Sequence, residues 1–450
     1  MATLLDIEPA MRLAIREAEA QGAGDCEAYV SLTLESEVSI ENNDLKQAKS
    51  QQAGVIGVRV FVDGALGFYS VNSLEREKVK EAAARAVRMA RVSPKDRFNL
   101  MPKKRKVARV RGIYDRNAEG FGARDAAKYA AEMLHVARGA DGRVSVDSGN
   151  FTAALATQAV GNSNGVMLSE KLSAFSWSIM GMAIDGADVS SFDVQSGSTH
   201  SVKGIDVAPA AREFSQTVVN SLGAKKMDSN LSGATMILTP AAAAELVEEV
   251  VSYSVNSDSV QKKSSRFAGR LGKKVASPLL TVVDDPTDPA GLAAASFDRE
   301  GVPHRRNTVI EKGVLKKFLY NTYTAAKGGV SSTGNASGST SSPPSVSTTN
   351  FVVAPGRPSF DALVAETKQG VMVSRFSGNV NPVNGDFSGV VKGGRLIRNG
   401  ELGHAVREVM VAGNVFECLE NLTGVSRERK AIYSSILPYM RFEGVSFTGG

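Results

Sequence analysis

Histidine and cysteine are scarce, with four and two among 450 residues. Cys26 and Cys418 are too few for a disulfide framework and too far apart for a CxxC site, which fits a reducing cytoplasm. A zinc site needs three or four His, Cys or carboxylate ligands, and His135, His200, His304 and His404 are scattered along the chain. No run of about 18 apolar residues is present, so no helical membrane span is expected. Residues 1–22 are charged and amphipathic, unlike a signal peptide. No Walker-type or G-x-G-x-x-G fingerprint follows a strand, so a nucleotide site has no support. The one G-x-S-x-G match, Gly161 to Gly165, falls in an expected strand-to-strand turn, whereas a nucleophile elbow needs a strand-to-helix turn.

What is present reads as an α+β chain. The hydrophobic fraction of 42% is ample for packed cores in two or three domains. Residues 1–100 form the first unit. Asp6 precedes a helix with Met11, Ala14, Ile15 and Ala18 on one face, and strands follow at 29–40, 54–61 and 66–71. Asp63-Gly64 is a hairpin signal, and a long helix covers 74–92. Residues 101–112 are a basic linker around Lys103-Lys104-Arg105-Lys106, continuing through Arg109 and Arg111. The net charge of +6 permits an acidic partner, yet no aromatic residues interleave with this run. It reads as solvated linker, and no nucleic-acid partner is expected from it.

Residues 113–228 repeat the helix–sheet–helix order. Helices are expected at 124–138 and 207–222, with strands at 143–146, 152–160, 165–168 and 172–184. The only tryptophan, Trp177, alternates with small polar residues in a half-buried strand. Residues 229–450 are β-rich and barrel-like, with strands at 279–283, 308–311, 314–319, 371–376, 387–392, 395–398 and 404–412 and a short helix at 359–368. A serine- and glycine-rich tract at 328–349 reads by composition as a disordered surface loop.

The centre of this third unit is a short strand at 236–238, a Thr239 cap, Pro240 in the first helical turn, and a helix. Ala243, Leu246, Val247, Val250, Val251 and Ser254 recur at helical spacing, with Glu245, Glu248, Glu249 and Ser252 on or near the other face. On pattern alone this is a core-facing helix with an acidic outer face. Adjacent glutamates on a helix point about 100° apart and do not converge on a metal by themselves.

The segments SSRFAGRLGKKVASPLLTVVDDP (264–286), FDREGVPHRRNTVIEKGVLKKFLYNTYTA (297–325), STGNASG (332–338) and NFVVAPG (350–356), in this order, and GVRVFVDGALGFYS (57–70) before them resemble the TldD/TldE (PmbA) peptidase family, in which the STGN segment and the loop after it lie close to the active cleft. The resemblance spans nearly the whole chain. It implies a zinc-binding His-Glu-x-x-x-His motif on the central helix of catalytic members. Here Glu248, Glu249 and Tyr253 occupy those positions, and the histidines are absent, as in the TldE type.

The resemblance therefore implies a non-catalytic subunit without metal of its own, paired with a TldD-type subunit that carries the zinc and the general base. Such an assembly degrades unfolded or short peptides and trims leader segments of precursors; self-association without the partner stays open. The segment Ser332-Thr333-Gly334-Asn335 is the candidate rim for extended peptide. Two other classes remain: a stand-alone hydrolase with an unrecognised site, and a nucleic-acid-associated regulator, since the family has been labelled a modulator of DNA gyrase.

Overall fold

The structure is a computed structural model that describes residues 6–449. The first five residues of the stretch judged unlike a signal peptide lie outside the described residues.

Helices α1 (Ile7–Ala20) and α2 (Arg76–Val92) bury apolar residues at three- and four-residue spacing, alanine with Met11 and Ile15 in the first and alanine with valine in the second. Between them run β1 (Asp25–Glu41), β2 (Asp44–Val62) and β3 (Ala65–Val71). Two-residue turns join them. Asn42-Asn43 and Asp63-Gly64 all have positive φ, the backbone of a type I′ hairpin, which Asn, Asp and Gly tolerate. After α3 (Ala123–Ala140) come β4 (Val144–Asn162) and β5 (Met167–Asp185), then β6 (Asp188–Val189), β7 (Asp193–Thr199) and α4 (Ala208–Asn220).

Each of β4 and β5 fuses two of the expected strands. The turn-like residues Asp147 to Asn150 stay in the ladder, which absorbs them through a bulge between Val146 and Ser148. The polar residues Ser169 to Lys171 likewise stay paired, opposite Ala159 to Thr157.

The strands of both helix–sheet units are hydrogen-bonded into one sheet, β3-β2-β1-β4-β5, with β6 and β7 on the outer side of β5. Strand alternation then sorts its two faces. Ala28 stands opposite Val58 and Gly161, so even-numbered residues in this part of β1 point to the helices. Cys26, Ala28, Val30, Ile56, Val58 and Val60 pack under α1 and α2. Phe151, Phe175 and Trp177 pack under α3 and α4. Glu27, Tyr29 and Arg59 point to the opposite face, which the C-terminal domain covers.

That domain is built on β8 (Leu231–Leu238), paired parallel to strand Gln369–Val373 and antiparallel to strand Ser435–Gly449. The last of these also pairs with Val409–Asn414 and Leu422–Ile432. Expected strand 404–412 breaks between Ala405 and Val409, and 371–376 breaks at Ser374. Of 314–319, Val314–Leu315 forms a strand and Leu319 a lone parallel bridge to Asn256. The central helix is buried against this sheet, with Leu246, Val247, Val250 and Val251 among Val282, Val371, Leu437 and Met440. No helix among the described residues is long and apolar enough to cross a membrane.

Where β7 meets the C-terminal domain, Asp193 is buried, with Gln195 Nε2 donating to its Oδ2 at 3.0 Å. Burial pushes its carboxyl up to about 6, against the pull of Arg375 and with help from Glu213. A folded-state pKa above the unfolded one means the native state holds the proton longer. Stability from this group is therefore present below the usual aspartate range and is lost as pH rises through about 6. Asp193→Asn is expected to raise stability at pH 7 by roughly 1–3 kcal/mol and to flatten the decline between pH 4 and 6. Denaturant titrations at several pH values check this; an unchanged slope would show that Asp193 is not the group responsible.

Candidate functional site

The central helix is not uniform. Thr239 caps α5 (Pro240–Ala243), its Oγ1 accepting from the Ala242 backbone at 3.3 Å. Residues Ala244–Glu248 form a π turn, and α6 (Glu249–Val255) continues. Such a wide turn inserts a residue into the helical register and re-aims the side chains beyond it. Glu245 turns to strand Arg375–Val380, accepting from the Phe376 backbone at 2.6 Å. Glu248 turns inward and accepts from Ser435 Oγ of the last strand; burial raises its carboxyl above the usual range. Glu249 points the other way, to solvent.

Glu249 lines a cleft of about 250 Å³ together with Ser252, Tyr253, Asn256, Val346, Ser347, Thr348 and Pro382. Residues 249, 252, 253 and 256 are one helical face, so three residues besides Glu249 follow from its spacing. The facing wall is the end of the serine-rich tract. Asn256 Nδ2 donates to the Val346 carbonyl at 2.8 Å, and Thr348 and Ser252 share a hydrogen bond of 3.2 Å. Ser347 and Thr348 were not singled out by the sequence, because nothing in a Ser/Thr run marks which hydroxyl meets a helix.

The tract is ordered. Ala336–Ser337 pairs antiparallel with Ser345–Val346, and the loop between reaches the N-terminal sheet. There a Cβ on Gly57 would stand 2.3 Å from the Thr340 carbonyl oxygen, so only glycine lets the two backbones meet.

Ser332, Thr333 and Asn335 have buried side chains and do not line the cleft; they stand behind its wall. Asn335 Nδ2 donates to Asp284 Oδ2 at 2.7 Å and to the Ser347 carbonyl at 3.1 Å. Its Oδ1 accepts from Thr333 Oγ1 at 2.6 Å and Asn307 Nδ2 at 3.3 Å. Ser332 Oγ accepts from the Gly334 backbone at 3.1 Å, tightening the turn. Asp284 also accepts from Thr349 Oγ1 at 2.7 Å, and burial raises its carboxyl above the usual range. Two side chains thus pin both ends of the wall, at Ser347 and Thr349.

The residues on the helix do not fit a zinc ion. Glu248 is bonded to Ser435, and Tyr253 Oη donates to Ser264 Oγ at 2.8 Å. Only Glu249 offers a free carboxylate to the cleft. Among the described residues no three His, Cys, Asp or Glu side chains gather as a metal set. His304 is held neutral, with burial pushing its pKa down to about 4, but it stands behind the wall near Gly334. Cys418 is buried in a short helix, Val415–Glu420, where burial pushes the thiol up to about 12.

Three family models match in order. They are the PmbA/TldA metallopeptidase domain 1 (residues 26–90), central domain (117–225) and C-terminal domain (232–449). A metalloprotease of Archaeoglobus fulgidus is 37% identical over 198 residues, covering 44% of this chain and 43% of that one. The metalloprotease PmbA of Escherichia coli O157:H7 is 25% identical over 463 residues, covering 97% and 96%. The crystal structure of TldE from Thermococcus kodakarensis matches with a TM-score of 0.90 at 27% identity, covering 98% of this chain and all (100%) of that one. With all three family domains present in sequence order and the fold shared along its length, the chain belongs to the PmbA/TldD metallopeptidase family.

Proposed function

We propose that this chain is a non-catalytic, TldE-type subunit of a cytoplasmic peptidase, working beside a TldD-type subunit that carries the zinc and the general base. The observation that carries the reading is the fate of the helix positions where catalytic members have histidine. Glu248 and Tyr253 are both bonded into the scaffold and leave Glu249 alone in the cleft. A carboxylate, two hydroxyls and an amide on one side, facing backbone and hydroxyl groups on the other, can bind and orient a peptide but cannot activate water as a metal would. The chain then contributes a wall of the substrate chamber for unfolded or short peptides and precursor leaders.

Elemental analysis of zinc-treated, dialysed protein is expected to give well under one zinc per chain. Purification from native cells is expected to recover a His-Glu-x-x-x-His protein near equal stoichiometry. Stoichiometric zinc surviving dialysis, or chelator-sensitive proteolysis by the chain alone, would overturn the reading in favour of a stand-alone enzyme. Recovery of DNA-associated proteins only would turn it toward a nucleic-acid regulator.

A further inference from the structure

The outer edge of β5 is only partly used. Strand β7 covers residues 175–181, and among the described residues 167–172 have no strand beside them on that edge. The ladder to β4 tells which backbone groups are free. Asn162 N donates to the Val166 carbonyl, and Val160 stands opposite Leu168, so even-numbered residues here bond to β4. Met167, Ser169 and Lys171 therefore direct their N–H and C=O groups outward. Ser173, the next in this series, donates its N–H to the Ile113 carbonyl at 3.0 Å, as an edge strand does to a neighbour.

Beyond Ile113 the basic linker swings away from this edge and leaves a slot of about 630 Å³. Its walls are Met167 to Lys171 on one side and Val107 to Gly112 on the other, with Ser296 and Phe297 beneath. The linker is held at this distance by a relay: Val110 N donates to Ser296 Oγ, and Ser296 N donates to the Glu170 carboxylate at 3.1 Å. Among the described residues that is the one hydrogen bond the backbone makes between Lys103 and Gly112. Arg109 and Arg111 are exposed and make no ion pair among the described residues, whereas Lys171 is held by Glu119 at 2.8 Å.

We infer that this slot takes an extended, acidic peptide segment as an added strand on β5, distinct from the cleft at Glu249. Both walls present unpaired main-chain groups, and four strand steps from Met167 to Lys171 span about 13 Å, room for four or five peptide residues. Main-chain pairing supplies affinity that is indifferent to most side chains. Glu170 also lines the slot, its carboxylate accepting from the Ser296 backbone and drawn by Arg109, so the preference for carboxylates rests chiefly on Arg111. The reading of the chain as a peptide-handling subunit suggests the kind of ligand, and the slot then holds substrate before or after the cleft.

The test uses the isolated full chain and a short fluorescein-labelled, unstructured peptide rich in glutamate, followed by fluorescence anisotropy. Ser169→Pro removes one outward N–H without touching the ladder to β4, and is expected to weaken binding about tenfold. Arg109→Glu with Arg111→Glu is expected to weaken it by at least as much. Against the unaltered protein, peptides N-methylated at one backbone position at a time are expected to lose affinity in an every-second-residue pattern. Equal binding by all methylated peptides and by Ser169→Pro would overturn the inference. So would a loss caused by the arginine changes alone, which is charge attraction without strand pairing. No catalytic partner enters this assay, so its failure is separate from failure to find one.

Discussion

Replacing Glu27 by alanine is expected to lower the unfolding free energy by about 3–5 kcal/mol, the usual cost of leaving buried charge without its partner. Glu27 sits under the C-terminal domain with its side chain fully covered, and it bridges two guanidiniums. Its Oε2 accepts from Arg59 Nη2 and its Oε1 from Arg299 Nη1, each at 2.7 Å. Arg59 also donates to Glu300 Oε1 at 2.8 Å, and Glu300 Oε2 accepts from the Thr322 backbone. Two carboxylates and two guanidiniums are thus closed off from water between the domains. Among the described residues Arg299 pairs with Glu27 alone; its Nε and Nη2 have no hydrogen-bond partner, and its guanidinium lies 4.0 Å from the centre of the Tyr29 ring. In Glu27→Ala it becomes a buried cation facing only an aromatic face.

Chemical denaturation followed by circular dichroism measures the loss, with Arg12→Ala as control. That residue makes an exposed helical pair with Glu8, worth well under 1 kcal/mol. Adding Arg299→Met to Glu27→Ala is expected to recover part of the loss, since no lone charge then remains buried. A cost below about 1 kcal/mol for Glu27→Ala would mean that the apolar contacts of Tyr29, Val160 and Phe297 hold the domains by themselves.

The helix and strand positions of the N-terminal half were legible because they follow simple periods. Val79, Ala83, Val87 and Ala90 mark one helix face, and Asp63-Gly64 marks a turn whose φ values require such residues. Continuity was not legible. Asp147 to Asn150 have the composition of a turn and stay in a strand because β1 pairs along them, with Ser148 opposite Glu41 and Asn150 opposite Ser39. The last hairpin, Leu422–Ile432 with Ser435–Gly449, was not anticipated either. Arg427, Glu428, Arg429 and Lys430 interrupt its alternation, and the register shifts between Val425 and Arg429. Yet Ser435–Gly449 lies beside β8 and contributes Ser435, which holds Glu248.

The motifs that carried the family resemblance are mostly not cleft residues. Asp298, Arg299 and Glu300 belong to the domain junction. Asp298 accepts from the Glu300, Val302 and Ala336 backbones, while burial and neighbouring Glu300 push its carboxyl above the usual range. Asp284, Asn307 and Asn335 form the support behind the wall. The sequence marks such residues because a buried polar group accepts few substitutes. The cleft's own Ser347 and Thr348 look like any surface hydroxyls.

Asn335→Leu is the second large effect. Leucine fills about the same space and offers no donor, so Asp284 loses its amide partner, the Ser347 carbonyl loses its cap, and Thr333 loses an acceptor. Thr333 Oγ1 still has the Tyr320 carbonyl at 3.1 Å, so two polar groups are left short, at a cost of roughly 2–5 kcal/mol with the carboxylate the largest share. The loss is expected to depend on pH in a definite direction. Burial already raises the Asp284 pKa, and removing the amide raises it further. A raised folded-state pKa confers stability below the unfolded value that is lost as pH rises, so the deficit against wild type should narrow in acid and widen toward neutrality. Hydrogen exchange is expected to speed up at Ser347 to Thr349, which Asn335 and Asp284 hold from behind, while strand Asp386–Lys392 keeps its protection. In the reconstituted pair, loss of the fixed wall is expected to lower peptide turnover with assembly intact, as is deletion of residues 338–347. Faster exchange with unchanged turnover would make the wall a structural element only, and unchanged exchange would show that Asp284, Asn256 and Ser252 suffice to hold it.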